Sequence, residues 1–259
     1  MFEYLLLDKF GHYLETDNLQ FGYKRAHSTS HAIYILKECV NYYTTHGSNV
    51  LVSLLDCSKA FDTVSHYGIF LRLLEQKVPL CFLKLLIYWY LNMQTRCLWR
   101  QAFSDYFPVP TGTKQGGALS PRIFSLYMDR LIRLLRNRGI GCHIIGLFLA
   151  CILYADDLCL LAPSRGAMQE MLLICELFCD EYCLSFNVKK SKALIFGNVK
   201  GKTFHPLTLK HEPMEYVTQW TYLGATIVAG PTLSFTCKRE LCNFYRFFNC
   251  LLSSVQKPN

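Results

Sequence analysis

Charged residues are scarce in this sequence, and acidic residues are scarcer than basic ones. Of its 259 residues only 18% are charged, with 19 Asp and Glu against 27 Lys and Arg, whereas 51% are hydrophobic. This composition excludes an intrinsically disordered chain, and the length suffices for one large domain or two small ones. The formal net charge of +8 suits a polyanionic partner such as nucleic acid, although Lys and Arg also solubilise ordinary surfaces.

The thirteen cysteines include no C-x-x-C pair, the spacing typical of zinc sites and redox motifs. Cys175, Cys179 and Cys183 instead recur every four residues, which places them on one face of a helix. We interpret them as buried, reduced thiols, a reading that we favour over a metal site. Reduced thiols predict an intracellular protein, nuclear or cytoplasmic, that is not secreted.

Long hydrophobic runs are also missing. The longest, such as 144–154, fall short of the roughly 20 apolar residues that a membrane-spanning helix needs. A secretory signal is not expected, because Glu3, Asp8 and Lys9 interrupt the first apolar stretch. We therefore predict no association with a membrane.

The hydrophobic periodicity predicts a mixture of helices and strands. Helices are predicted at 2–15, 29–45, 66–76, 80–92, 121–136, 166–182 and from about 236. Strands are predicted at 50–55, 143–153, 158–161, 193–196, 207–209 and 222–228, with a β-hairpin over 94–110. Their order predicts an α+β fold, an antiparallel sheet with helices packed on one face in a split β-α-β plan.

Two adjacent carboxylates, Asp156 and Asp157, lie between apolar segments. Desolvating such a pair is costly, so we expect it at a turn between two strands, where both groups face a divalent cation. Asp56 follows the buried strand 50–55 and is the third candidate, although it could instead cap the next helix. Carboxylates that converge from neighbouring strands suit Mg²⁺ and metal-assisted phosphoryl transfer.

Several short motifs occur in one order along the chain. They are Asp56 to Asp62, Lys114 to Pro121, Tyr154 to Asp157, Asn187 to Ser191 and Tyr222 to Gly224. Together they resemble the palm of a reverse transcriptase of the non-LTR retrotransposon (long interspersed element) type, over roughly residues 20–228. The resemblance implies residual fingers and connecting helices at 1–49, the palm at 50–228, and the start of a thumb or a C-terminal helix at 229–259.

The resemblance also implies a reaction. An RNA-directed DNA polymerase adds deoxynucleotides to a primer 3′-OH by two-metal nucleotidyl transfer and releases pyrophosphate. Its partners would be an RNA template, a DNA primer and deoxynucleoside triphosphates. By resemblance Asp56 and Asp156 would ligate two Mg²⁺ ions, with Mn²⁺ as a possible substitute, and Asp157 would be a supporting metal ligand.

Further positions match substrate-binding residues of the family. Phe61 would screen the sugar 2′-OH, unless it is a plain core aromatic. Gln115 and Gly116, with Gly117, would lie under the nascent base pair, where a missing side chain permits a close approach of backbone. The alternative for these glycines is a simple loop before the next helix.

Three basic residues are implied as contacts to phosphates. Lys190 would approach the incoming triphosphate, although a solvated lysine is nearly as good an interpretation. Lys24 and Arg25 would contact the template phosphates, and the equal alternative is a helix entry capped by Ser28.

The sequence departs from the family pattern at both ends, where fingers and thumb are expected to be truncated, and at Lys114, where arginine is usual. An alternative hypothesis is therefore a catalytically impaired palm remnant that at most binds nucleic acid. A cluster of aromatic and basic side chains fits either core packing, which we favour, or a stacking platform for single strands. Its members are Tyr88, Trp89, Tyr90, Arg96, Trp99 and Arg100.

Overall fold

The computed structural model describes residues 1–114 and 116–236, together with 242, 244–247 and 249. Its helices are α1 (Phe2–Phe10), α2 (Thr29–Thr45), α3 (Ala60–Thr63), α4 (His66–Glu75), α5 (Leu80–Leu91), α6 (Ser120–Arg138) and α7 (Arg165–Glu181). A short 3₁₀ helix, Gly11–Leu14, continues α1. The predicted helices up to residue 182 are thus present, with ends shifted by a few residues.

The strands are mostly short. They are β1 (Val50–Leu55), β2 (Gln94–Thr95), β3 (Leu98–Trp99), β4 (Ala102–Phe103), β5 (Phe107–Pro108), β6 (His143–Ile144), β7 (Leu147–Phe148) and β8 (Cys151–Tyr154). They continue with β9 (Asp157–Ala162), β10 (Lys192–Phe196), β11 (Thr208–Leu209), β12 (Glu212–Pro213), β13 (Glu215–Tyr216), β14 (Gln219–Tyr222), β15 (Ala225–Val228) and β16 (Ser234–Thr236).

The main sheet has the strand order β13-β10-β1-β9-β8. Its neighbours pair antiparallel, except that β10 and β13 are parallel. The central strand β1 is buried along its whole length. It is apolar on both faces, since Leu51 and Leu55 enter one core while Val52 and Leu54 enter another. The predicted α+β plan with an antiparallel-rich sheet is confirmed.

Helices cover the two faces unequally. The larger core receives apolar side chains from α1, α4, α5, α6 and α7. The smaller core, on the opposite face, receives α2 and the β14–β15 hairpin. We predicted helices on one face only; α2 is the additional helix, and its buried stripe of Ala32, Leu36, Cys39 and Val40 explains its place there.

Two predicted strands are wrong in extent. Segment 143–153 contains the β6–β7 hairpin, and β8 begins only at Cys151. Segment 222–228 is likewise folded into the β14–β15 hairpin. Each contains a residue followed by glycine, both with positive φ: Ile145-Gly146 (49° and 76°) and Leu223-Gly224 (48° and 83°). A tight two-residue hairpin turn requires positive φ at both central positions. Apolar residues continue through both turns, so the hydrophobic pattern did not reveal them.

The predicted last helix is wrong at its start, because Thr236 ends strand β16, which pairs with β15. Of the residues that follow, those described within 242–249 are helical, and the remainder of the predicted helix lies outside the described residues. Cys175 and Cys179 are buried as predicted, but Cys183 is exposed beyond the end of α7. None of the helices described here combines the length and apolarity needed to cross a bilayer.

Candidate active site

The acidic pair sits at the tip of a tight hairpin, as predicted. Tyr154 pairs with Asp157 across β8 and β9, which leaves Ala155 and Asp156 as the two turn residues. Ala155 has a φ of 58°. Leu55 pairs with Leu158 on the neighbouring strands, so Asp56, the residue after β1, comes opposite the acidic turn. Strand register alone therefore brings the end of β1 to the two aspartates.

The three carboxylates interact electrostatically. Burial, together with the negative charges of Asp156 and Asp56, raises the pKa of Asp157 to about 6. Burial and the charge of Asp56 also raise the pKa of Asp156 above its usual value. In the described part of the chain, no three His, Cys, Asp or Glu side chains are gathered as a metal cluster. The donors are nevertheless hard carboxylate oxygens, which fits Mg²⁺ or Mn²⁺ in chemical type.

A short turn before β10 holds Asp56 in place. The amide of Asn187 donates to the carbonyl of Asp56 (2.9 Å), and the amide of Asp56 donates to Oγ of Ser191 (3.3 Å). The hydroxyl of the fully buried Ser191 in turn donates to the carbonyl of Asn187 (2.8 Å). Lys190 lies on the same turn, with its Nζ 3.7 Å from Oδ2 of Asp56. The structure thus brings the predicted Lys190 to the acidic site.

A cavity of about 220 Å³ opens between this turn and the β14–β15 hairpin. Asp56, Asp157 and Lys190 line one side of it. Trp220, Tyr222 and Leu223 line the other. Sequence reasoning had singled out Tyr222-Leu223-Gly224 but missed Trp220; its only signal was its place two residues before Tyr222, which puts both side chains on one face of a strand.

The segment 20–22 is hydrogen-bonded to the acidic turn and to the strand that precedes it. The side-chain oxygen of buried Gln20 accepts hydrogen bonds from the amides of Gly22 (2.9 Å) and Ala155 (3.2 Å). The backbones of Phe21 and Leu153 are also hydrogen-bonded, at 2.7 Å. A Cβ at Gly22 would overlap the backbone of Ala155, so only glycine fits there without displacement. Gln20 was missed as a supporting residue because nothing in the sequence distinguishes a buried glutamine from a surface one.

Phe61 lies half-buried beside the site. Its ring stacks on Phe124, with centroids 4.1 Å apart, and meets the edge of Tyr23 at 6.3 Å. Burial, and secondly the charge of Asp156, raises the pKa of the Tyr23 phenol. Phe61 is therefore packed against the core on one side and connected through Tyr23 to the acidic turn on the other.

The glycine loop lies in a different cleft. Gly116 and Gly117 line a space of about 320 Å³ with α1 residues, among them Glu3. Gly116 has a φ of 81° and open space where a side chain would stand. Gln115 lies outside the described residues. The structure does not bring Gly116 or Gly117 into the cavity that Asp56 lines.

Lys24 is also removed from the cavity. Its amine donates to the carbonyls of Thr16 (3.0 Å) and Asp17 (3.1 Å), which ties the segment 20–25 to the end of the first helical region. Arg25 is exposed. Its predicted contact with template phosphates stays a prediction, while Lys24 already has a structural role.

The favoured core packing of the aromatic cluster is wrong in part. Tyr90 is buried and Trp89 is partly buried against the core, as core packing requires. Tyr88 and Trp99 are instead 70% and 75% exposed. Trp99 belongs to a hairpin that leaves the body of the domain.

The sequence of this chain is similar to a known protein family and to several of its members. The family pattern described as "Reverse transcriptase (RNA-dependent DNA polymerase)" matches residues 6–227. The chain is 27% identical over 235 residues to the Retrovirus-related Pol polyprotein from type-1 retrotransposable element R2 of Nasonia vitripennis, covering 86% of this chain and 22% of that protein. It is 30% identical over 192 residues to the corresponding polyprotein from type-2 element R2DM of Drosophila melanogaster, covering 71% and 18%. The chain thus spans about a fifth of the length of these two relatives.

Solved structures support the fold. The telomerase of Candida Tropicalis in complex with a TWJ fragment of telomeric RNA superposes with a TM-score of 0.64 at 10% identity, covering 91% of this chain and 36% of that one. The telomerase of Candida albicans gives 0.61 at 13% identity, covering 90% and 36%. At such identities the likeness concerns the fold, and it is consistent with a polymerase palm.

Proposed function

This chain belongs to the reverse transcriptase (RNA-dependent DNA polymerase) family, and on that premise we propose that it is the polymerase domain of a non-LTR retrotransposon. The proposed reaction extends a DNA primer with deoxynucleotides on an RNA template. The observation that carries the proposal is the register that sets Asp56 opposite the Asp156-Asp157 turn at the mouth of one cavity. Within the fold, 1–49 would contribute fingers and connecting helices, 50–228 the palm, and 229–259 the beginning of a thumb.

Asp56 and Asp156 are the proposed ligands of two divalent cations, with Asp157 supporting them. Bound Mg²⁺ or Mn²⁺ supplies charge compensation for the phosphates and favours the ionised form of the primer hydroxyl. Burial, and secondly repulsion by the charges of Asp156 and Asp56, raises the pKa of Asp157. A cation would relieve this repulsion, which is a physical reason for the site to bind one.

The remaining residues act by positioning. Lys190, which is 68% exposed and whose Nζ lies 3.7 Å from Oδ2 of Asp56, is suited to meet the triphosphate of an incoming nucleotide. Phe61 is held by its stack on Phe124, so it can present a rigid wall to the sugar. Trp220 and Leu223 supply an apolar wall opposite the carboxylates, where a primer end can rest.

The proposal is tested by primer extension with purified protein, a labelled DNA primer annealed to an RNA template, and Mg²⁺ or Mn²⁺. We expect Asp156→Asn and Asp56→Asn to lower the extension rate by about 100-fold or more, because each removes a proposed ligand of the cations that would stabilise charge at the reacting phosphates. Asp180→Asn, an exposed aspartate on α7, is the matched control and should keep the wild-type rate. Equal extension by Asp156→Asn and wild type would refute the proposal.

A metal-binding readout separates catalysis from folding. Added Mn²⁺ should raise the thermal midpoint of the wild-type protein and of Asp180→Asn, but not that of Asp156→Asn. If the metal stabilises the wild-type protein yet no extension occurs, the alternative hypothesis of a catalytically impaired palm remnant is supported instead.

A further inference from the structure

A two-stranded hairpin, 94–108, projects from the body of the domain between α5 and the glycine loop. β2 pairs with β5 at its base, and β3 pairs with β4 at its tip. The tip turns at Arg100 and Gln101, both with positive φ. Every residue of this hairpin is exposed. The exposed apolar side chains are Leu98 (62%), Trp99 (75%), Phe103 (57%), Tyr106 (62%) and Phe107 (44%).

Such exposure needs a physical reason. An isolated two-stranded hairpin is only marginally stable in water, and large apolar side chains gain free energy when they leave it. No element in the described residues covers either face of this hairpin, since all its side chains are open to solvent. The surface therefore has the character of a binding surface rather than of a structural element.

The aromatic rings are interleaved with arginines. The Arg96 guanidinium lies 3.8 Å from the centroid of Phe103 and 5.0 Å from that of Tyr106. Arg100 lies 5.9 Å from the ring of Trp99. Asp105 is the one acid within 94–108, so the hairpin carries more positive than negative charge. Flat rings and planar guanidinium groups stack on bases, and the arginines also attract phosphates.

A groove leads from the hairpin base toward the glycine loop. It has a volume of about 640 Å³ and is lined by Trp89, Asn92, Gln94 and Lys114, among others. The Lys114 amine lies 5.4 Å from the Trp89 ring and 3.4 Å from Oε1 of Glu3, so a ring paired with a cation is found in the groove as well. A strand lying along the hairpin could thus run on toward the loop without leaving this kind of surface.

We propose that the hairpin 94–108 and the groove at its base bind unpaired, single-stranded nucleic acid. The charge and the ring–guanidinium pairs favour this partner over an apolar protein surface, which would need neither. The site is separate from the cavity of Asp56, and binding there requires neither metal ion nor catalysis. The inference shares with the proposed function only the choice of nucleic acid as partner.

The test measures binding by fluorescence anisotropy of a labelled, unstructured 20-nucleotide RNA and of the DNA of the same sequence, in EDTA. We expect the wild-type protein to bind, and Trp99→Leu with Phe103→Leu to weaken binding about 10-fold or more, because stacking contributes roughly 5-fold or more per base. Leucine keeps the surface apolar, so the change isolates stacking. Arg96→Lys, which keeps the charge but loses the planar group, should weaken binding less than Arg96→Ala.

Tyr34→Leu, an exposed tyrosine on α2, is the matched control and should bind as the wild type does. Asp156→Asn should also leave binding unchanged, which separates this surface from the proposed catalytic site. The RNA and DNA arms identify which strand is preferred. Unchanged binding by the double variant, or no single-strand binding by the wild type, overturns the inference. If the double variant binds the strands as the wild type does but sediments as a smaller species than the wild type, the hairpin is a contact between copies of this chain, and the inference is likewise overturned.

Discussion

Gly22→Ala is the substitution that most directly tests how the acidic turn is held. Gly22 lies against the backbone of Ala155, the residue before Asp156. A Cβ there would overlap the amide nitrogen of Ala155 and stand 3.0 Å from its Cα and 3.1 Å from its Cβ. These are mainly backbone atoms, so rotation of a side chain cannot relieve the overlap. The φ of Gly22 is not in the left-handed region, so the expected effect is steric alone.

The magnitude follows from the displaced contacts. Restoring ordinary contact distances requires a displacement of about 1 Å, which is enough to change a catalytic rate by roughly 100-fold. Overpacking of this kind costs about 1–3 kcal/mol, and weakening the Gln20 hydrogen bonds to Gly22 and Ala155 adds about 1 kcal/mol. A loss of about 2–4 kcal/mol corresponds to a thermal midpoint lower by roughly 4–16 °C.

Two assays measure these effects independently. Thermal or urea unfolding gives the change in stability and does not depend on what the protein does. Primer extension gives the change in rate and depends on the proposed function. Gly166→Ala is the matched control, because this helical glycine on α7 has no neighbour within 4 Å of a new Cβ. We expect it to be neutral or to stabilise by up to about 1 kcal/mol.

A Gly22→Ala protein with wild-type stability would refute the close approach between segment 20–22 and the turn. A variant that is destabilised as expected, yet extends primers at the wild-type rate at a temperature where it remains folded, would refute the idea that this approach positions Asp156.

Two further predictions concern the start of α6 and His66, which contacts the carbonyl of Gly112. Glu3→Ala should lower the thermal midpoint by roughly 2–8 °C, about 1–2 kcal/mol. The Glu3 carboxylate accepts a hydrogen bond from the amide of Leu119 (3.0 Å) and so caps α6, whose own N-cap residue provides no side-chain cap. Glu38→Ala, exposed on α2, is the control, and equal midpoints for the two variants would contradict the capping role. Burial lowers the pKa of His66, against the opposing effect of its contact with the carbonyl of Gly112, so its contribution to stability is present above about pH 6.5 and is lost as pH falls through the lowered pKa. His66→Gln should therefore flatten the fall in midpoint between pH 7 and pH 5, measured by thermal unfolding, and a slope as steep as that of wild type would show that another group titrates.

Much of the fold could be predicted because local pattern and final burial agree. The segment 50–55, apolar except for Ser53, predicts a short buried strand, and β1 is that strand. α2 begins after Ser28, whose side chain caps it, and ends before Gly47, as the sequence signals indicate. The prediction failed at 143–153 and 222–228, where hydrophobicity continues through a turn and only the φ angles reveal the reversal.

The candidate site divides in the same way. The sequence by itself determined which carboxylates lie at strand ends and in which order. Burying a carboxylate within an apolar strand is costly, so a carboxylate between two apolar segments is expected where the strand ends or turns. Only the tertiary structure decided what surrounds them. Gln20 and Ala155, which are hydrogen-bonded, and Trp220 and Asp56, which line the same cavity, are more than a hundred positions apart in the sequence. Whether an aromatic residue is core or surface was decided there as well. The sequence does not distinguish Tyr90 from Trp99. Tyr90 is buried because α5 packs against the core, whereas Trp99 is exposed because it lies on a hairpin that extends into solvent.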